Sequence, residues 1–238
     1  SVRQAEPRVH CLTNGVAQAF TANVLLAVGA VPSMTSDPAE VGAFVSGADG
    51  LLVNLGILDE AMRRAIGEAI SAVEASDLPW VLDPVFADRS PGRAAFAREL
   101  LARRPTALRL NRLEAEALGT AALSAAESAG TVVALTGRTD RVSLAGRTAM
   151  VEAGHPLMGR VTAIGCALGG VVAACLVVAR RTGVPPFEAV HGAVLGFGLA
   201  GAAAGRLARG PGSFVPAFLD ALHAMEPVLG ARRDKEAA

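Results

Sequence analysis

Three positions carry most of the chemistry that this chain of 238 residues can offer. Asp83 directly follows the apolar run Trp80-Val81-Leu82, and Glu114 comes three residues after Asn111, which closes the run Ala107 to Leu110. Carboxylates brought together above neighbouring strands are a usual way to hold Mg²⁺, with waters and substrate phosphates completing its shell. Glu114 has an equally good structural use, as the N3 partner of an Asn111 helix cap. Cys166 follows Thr162-Ala163-Ile164-Gly165 and opens a long apolar stretch, which puts its sulfur at a helix N-terminus. Backbone N–H groups there attract anions and lower a thiol pKa. The segment is therefore a candidate phosphate loop bearing a base. The plainer alternative is a small buried side chain like Cys175 in the same stretch.

Other chemistry is excluded by what is missing. The single lysine is Lys235, so neither a GxxxxGK[ST] phosphate loop nor an internal Schiff-base lysine exists. The 22 basic and 22 acidic side chains cancel, and apolar residues make up 52% against 18% charged. That balance argues against a disordered chain and against a nucleic-acid binder, and favours a small neutral partner. Cys11, Cys166 and Cys175 form no CxxC pair, and His10, His155, His191 and His223 show no metal-ligand spacing. The opening Ser1 to His10 lacks the layout of a secretory signal, so the expected location is the cytoplasm. Ile164 to Ala179 and Ala189 to Ala204 are apolar, yet short and rich in Gly and Ala. They read as buried helices, with no membrane involved.

The elements that must position these residues follow from periodicity. Short apolar runs at Val9 to Leu12, Leu51 to Leu55, Trp80 to Leu82, Ala107 to Leu110 and Val132 to Leu135 read as strands, with a further pair at Val142 to Leu144 and Thr148 to Val151. Helical spacing appears at Asp59 to Ala75, Ala94 to Arg103, Gly165 to Arg181, Pro186 to Leu207 and Val215 to Met225. The alternation predicts one α/β domain over 1–238: three layers, with a mainly parallel central sheet and helices on both faces. Ligands of such sheets sit at the carboxyl ends of strands. Thr13-Asn14, Asn54-Leu55-Gly56, Asp83-Pro84, Asn111 with Glu114, and Thr136-Gly137 would all lie on that edge.

Taken together, these motifs resemble the hydroxyethylthiazole kinase family of the ribokinase-like superfamily. The resemblance runs through His10-Cys11-Leu12-Thr13-Asn14, Thr21-Ala22-Asn23, Gly29 to Met34, Asn54-Leu55-Gly56, Asp83-Pro84-Val85, Arg109 with Asn111 and Glu114, Thr136-Gly137 with Asp140, Gly154-His155, Thr162 with Gly165-Cys166, and Gly210 to Phe214. It implies a ribokinase-like fold and transfer of phosphate from ATP to the hydroxyl of 4-methyl-5-(2-hydroxyethyl)thiazole, in thiamine biosynthesis or salvage. It further implies Met34, Asn14 and Ala163 as substrate contacts, and Arg109, Thr136, Asn111 and Gly165 around the nucleotide. Asp83 and Glu114 become the magnesium carboxylates. Cys166 becomes the catalytic residue, where most ribokinase-like enzymes have an aspartate. A homotrimer with sites between subunits is implied as well.

The chain departs from the family pattern at several glycines. Ala163 stands in the T-G-x-G-C loop, Phe86 and Asp88 in D-P-V-G-x-G, and Leu110 in the R-G-N triplet, while Ala19 replaces an Asn of the opening motif. A segment of about twenty residues between Glu114 and Thr136 is also missing. Side chains at Ala163 and Ile164 are expected to crowd an anion, so that reverting both would strengthen nucleotide binding. An impaired thiazole-binding or regulatory homologue, and a kinase of another small substrate, remain alternatives.

Overall fold

Side chains alternate across a strand with period 2, and that alternation assigns each core residue to a layer. The computed structural model describes residues 1–225. Its strands are β1 (Arg8–Leu12), β2 (Val31–Ser33), β3 (Gly50–Asn54), β4 (Trp80–Asp83), β5 (Ala107–Asn111), β6 (Val132–Thr136), β7 (Asp140–Leu144) and β8 (Arg147–Val151). They form one sheet in the order β2-β1-β3-β4-β5-β6-β7-β8. The first six strands run parallel; β7 and β8 are antiparallel additions. Ala145 and Gly146 both have positive φ in the tight turn between β7 and β8, which suits the twist of a hairpin.

The helices are α1 (Val2–Ala5), α2 (Gln18–Val28), α3 (Val41–Ser46), α4 (Glu60–Ser76), α5 (Pro91–Leu101), α6 (Arg112–Leu118), α7 (Thr120–Ser128), α8 (Ile164–Thr182), α9 (Pro186–Leu207) and α10 (Pro211–Ala224). Val9, Cys11, Leu52, Val81, Ala107 and Ala134 pack under α2, α8, α9 and α10. Leu51, Val53, Leu82, Leu108, Leu110 and Val133 meet α3 to α7 on the other face. Each core therefore uses alternate residues of the same strands, and the expected three-layer arrangement is the one observed. Both long apolar helices, α8 and α9, are mostly buried within the fold.

Each strand and helix read from periodicity is present, with ends shifted by a few residues. The runs missed have physical reasons. β2 is a three-residue edge strand containing Pro32, too short for alternation to register. α2 lacks a side-chain N-cap, although Gly29 ends it in the left-handed conformation. α10 begins at Pro211 rather than Val215 and carries Pro216 inside it, a residue that normally argues against a helix interior.

The departures from the family glycines meet three different fates. Leu110 is fully buried on the α3 to α7 side of the sheet, so it takes no space at the strand-end site. Ala163 precedes α8 at φ 66°, and Phe86 precedes a short 3₁₀ turn at φ 62°. Both are left-handed positions where glycine is favoured, so these side chains strain the backbone. Ile164, the first residue of α8, packs into the core on that side of the sheet and also borders the space beside Cys166, where it was expected to crowd an anion. Ala163→Gly should stabilise the fold by up to about 1 kcal/mol, the difference between relieved strain and added chain entropy. Ile164→Thr should cost about 1–3 kcal/mol by burying a hydroxyl where a methyl packs. Urea unfolding of the two single variants would show opposite shifts; a gain from Ile164→Thr would contradict this placement.

Candidate active site

Strand parity places Asn54, Asp83, Arg109 and Thr136 on the α8 side, at the carboxyl ends of four neighbouring parallel strands. Asp83 is fully buried and paired with Arg109, whose Nη1 lies 3.3 Å from Oδ2 and 3.5 Å from Oδ1. Arg109 Nη2 donates to Thr136 Oγ1 at 2.7 Å, and the Thr136 hydroxyl donates to the Leu110 carbonyl at 3.3 Å. The Nε–H of Arg109 is buried without a partner among the described residues. Gly165 makes this arrangement possible: a Cβ there would fall 2.6 Å from Arg109 Nη2. Gly165 is thus the seat for the guanidinium, and the α8 N-terminus closes over it.

Glu114 resolves its two possible uses by serving one and leaving room for the other. Its Oε2 accepts the Asn111 N–H at 2.8 Å while Asn111 Oδ1 accepts the Glu114 N–H at 3.0 Å, a complete capping box at the start of α6. Its Oε1 accepts the Phe86 N–H at 3.1 Å. Each oxygen keeps a lone pair for a further donor or a metal-bound water. Among the described residues no group of three or more His, Cys, Asp and Glu side chains could enclose a metal. Of the two expected carboxylates, Glu114 lines the cavity beside the strand ends, whereas Asp83, fully buried and paired with Arg109, is not among the residues lining it.

A cavity of about 1100 Å³ opens beside this row. Arg109, Asn111, Glu114, Thr136, Ala163, Ile164, Gly165 and Cys166 line it, together with residues the sequence left unassigned: Arg138, Asp140, His155 and Met158. The Gly137 N–H donates to Asp140 Oδ1 at 2.8 Å, which shapes the loop joining β6 and β7. His155 stacks on Phe214, accepts the Leu157 N–H at 3.2 Å and forms part of the cavity wall. Thr136-Gly137 with Asp140, and Gly154-His155, were the signals in the sequence for this wall.

Asn14 and Met34 lie toward the other end of the sheet. Asn14 Oδ1 accepts the Ala17 N–H at 3.1 Å and its Nδ2 donates to Asn54 Oδ1 at 3.3 Å. Met34, half-buried just beyond edge strand β2, is not among the residues lining the large cavity. Cys11 is fully buried in the core, its thiol pushed up to about 12 by burial, which removes it from any pocket around Met34.

The electrostatics correct one expectation. The Cys166 thiol is pushed up to about 11, first by burial and then by Asp83, which outweigh Asn54 and Arg109. At neutral pH it is a neutral thiol, the reverse of the lowering expected from the helix terminus alone. Burial also raises the Asp83 carboxyl to about 7, with Arg109 opposing and Glu114 reinforcing the shift. An unfolded Asp titrates near ~4, so the folded state holds the extra proton between about pH 4 and 7. Stability from this group is present at the acid end of that window and is lost as pH rises through 7. The stability advantage of the parent over Asp83→Asn, in protein free of nucleotide and metal, should shrink from pH 5 to pH 8. Paired urea titrations would check it, and a widening gap would refute the placement.

Comparison with known proteins agrees with this geometry. The family model described as "Hydroxyethylthiazole kinase family" matches residues 1–123 and 114–227. Its two segments meet within α6 and α7, where the missing segment was expected. A protein named probable hydroxyethylthiazole kinase from Agrobacterium fabrum is 44% identical over 221 residues, covering 93% of this chain and 85% of its own. The solved structure of hydroxyethylthiazole kinase protein from Pyrococcus horikoshii superposes with a TM-score of 0.87 at 35% identity, covering 94% of this chain and 90% of that one. A ribokinase-like superfamily protein from Enterococcus faecalis shares the fold at a TM-score of 0.68 and 15% identity, covering 93% and 88%. On the sequence motifs, the strand-end geometry and these matches alike, the chain belongs to the hydroxyethylthiazole kinase family.

Proposed function

We propose that the chain transfers the terminal phosphoryl group of ATP to the primary hydroxyl of 4-methyl-5-(2-hydroxyethyl)thiazole, the step that prepares a thiazole alcohol for thiamine synthesis or salvage. The observation that carries this reading is Arg109, held at the N-terminus of α8 on the wall of the large cavity, next to Cys166. Anionic phosphates suit that terminus, and Arg109, on the cavity wall, offers it a fixed positive charge. Thr136 holds the guanidinium at the nucleotide side, and Asn111 and Gly165 border the same space.

Phosphoryl transfer asks little covalent chemistry of the protein; alignment and charge neutralisation supply most of the rate. Bound Mg²⁺ would add positive charge between the phosphates, and Asp83 and Glu114 are the carboxylates that would hold it. Cys166, a neutral thiol in the resting protein, orients the acceptor hydroxyl toward the phosphoryl group. Asn14, Met34 and Ala163 bound the acceptor. The left-handed backbone at Ala163 and Phe86 keeps the family loop geometry without its glycines, which supports an active enzyme over an impaired homologue.

The acceptor side favours assembly. Val31 and Phe44 are exposed near the β2 edge, close to Met34 in the chain fold. An apolar edge of this kind suits a second copy of the chain, and a homotrimer with Met34 near the subunit boundary is the arrangement proposed. The three free cysteines suit a reducing cytoplasm.

ADP release should depend on added thiazole alcohol. Cys166→Ala should lower kcat by about tenfold or more, and Met34→Ala should raise the thiazole KM with unchanged melting temperature. Coupled assays with the two variants test each role; ADP release indifferent to the thiazole would overturn the substrate, and wild-type kcat in Cys166→Ala would overturn the role of the thiol.

A further inference from the structure

His10 lies in the middle of β1, has no exposed surface, and commits both ring nitrogens to the two residues that flank Met34. Its Nε2 is 2.9 Å from the Thr35 carbonyl oxygen, and its Nδ1 is 2.8 Å from Ser33 Oγ. A carbonyl only accepts, so Nε2 carries the proton. Burial lowers the imidazole pKa, so at neutral pH Nδ1 is unprotonated and accepts from the Ser33 hydroxyl. The ring also rests against Phe44 of α3, with 5.8 Å between centroids. Thr35 is tied a second time, because its hydroxyl donates to the carboxylate of Glu40, the residue that precedes α3.

This placement decides which way Met34 faces. Ser33, the last residue of β2, pairs with His10 in the parallel register, so both side chains fall on the α3 to α7 face of the sheet. Beyond Ser33 regular structure stops until α3 begins at Val41. The two contacts from His10, one on each side of position 34, take over where the strand ladder ends. Met34 turns to the opposite face and packs against the core under α2 and α8, the face that carries Asn54, Asp83 and Arg109. A loop that needed only an anchor could use an apolar side chain at position 10, as Leu12 serves on the same face. A buried imidazole costs free energy unless both nitrogens are matched, and its two aimed contacts fix direction as well as position.

We propose that His10 is the positioning residue for Met34: by gripping Ser33 and Thr35 from one face of the sheet it holds the Met34 side chain against the thiazole on the other, and so sets acceptor affinity without touching the acceptor. The proposal rests on the reading of Met34 as a substrate contact. His10 acts at residues 33 and 35, on β1 and the β2 edge, whereas Arg109 and Thr136 stand on β5 and β6. Its loss therefore falls on thiazole binding and spares the nucleotide side.

His10→Leu removes both hydrogen bonds and keeps an apolar side chain against Phe44. The thiazole KM should rise about tenfold, the size of one to two hydrogen bonds, with kcat and the ATP KM within about twofold. His10→Gln, whose amide can donate to the Thr35 carbonyl, should recover most of that loss. In a Met34→Ala background His10→Leu should change the thiazole KM by less than about twofold, because the ring acts through Met34. An equal rise in both backgrounds, or a His10→Gln no better than His10→Leu, would overturn the inference. So would a wild-type thiazole KM in His10→Leu beside a raised one in Met34→Ala, which leaves the role of Met34 standing. A wild-type thiazole KM in Met34→Ala would instead remove Met34 from the acceptor site, and the inference with it. Should His10→Leu fail to fold, Ser33→Ala on the edge strand removes one of the two contacts and carries the same readouts, with a rise of about threefold.

Discussion

The ion pair between Asp83 and Arg109 is the constraint around which the strand-end site is arranged. Asp83 has no exposed surface and the Arg109 side chain retains 12%, so both charges have been largely removed from water. That removal costs several kcal/mol per ion unless every group is matched. The matching ties four elements together: Asp83 belongs to β4, Arg109 to β5, Thr136 to β6, and Gly165 to the first turn of α8. Helix α8 can close on the sheet here only because Gly165 leaves room for the guanidinium. A buried pair of this kind is a weak source of stability. What it provides is a cation fixed in place, which need not be reorganised when an anion arrives.

Glu114 explains how the surrounding loop keeps its shape after losing glycines. One carboxylate oxygen completes the Asn111 cap, and the other accepts the N–H of Phe86. The loop after β4 is thereby tied to the start of α6, and Phe86 is held left-handed at φ 62° against its own preference. Its side chain is half exposed and borders the cavity, so it adds both backbone strain and bulk at the edge of the site. Ala163 is held in the same way by its position between a 3₁₀ turn and the buried first residue of α8. Strain of this sort persists where neighbouring contacts over-determine the backbone. The glycines can therefore be replaced while the geometry they usually permit is retained.

How far the sequence could be read depended on the range of the interactions involved. Buried parallel strands announce themselves as short apolar runs, and the residues closing them, Asn14, Asn54, Asp83, Asn111 and Thr136, fall on one edge by sequence alone, whereas Arg109, inside its run, was indicated only by the family resemblance. The capping role of Glu114 was visible from its spacing to Asn111, because a cap is local. Three things were not local. The sign of the Cys166 shift depends on burial and on Asp83 from a distant strand. The fate of Leu110 depends on which layer its parity joins. The cavity wall at Arg138 and Met158 is assembled by the β7–β8 hairpin and α9 folding around it, and no spacing in the chain encodes that.

The charge balance of the site gives a physical reason for a thiol at position 166. Asp83 and Glu114 already place two carboxylates near one buried guanidinium, and burial raises the Asp83 carboxyl to about 7. A third carboxylate on the α8 N-terminus would either take up a proton itself or repel the phosphates that the terminus attracts. A thiol with its proton held up to about 11 adds no charge to the resting site. It can still orient a hydroxyl through a polarizable sulfur, and transfer through a loose transition state leaves most of the negative charge on the phosphoryl oxygens rather than on the attacking group. Under those conditions alignment is worth more than basicity, and a neutral side chain at the helix start provides alignment without opposing the anion.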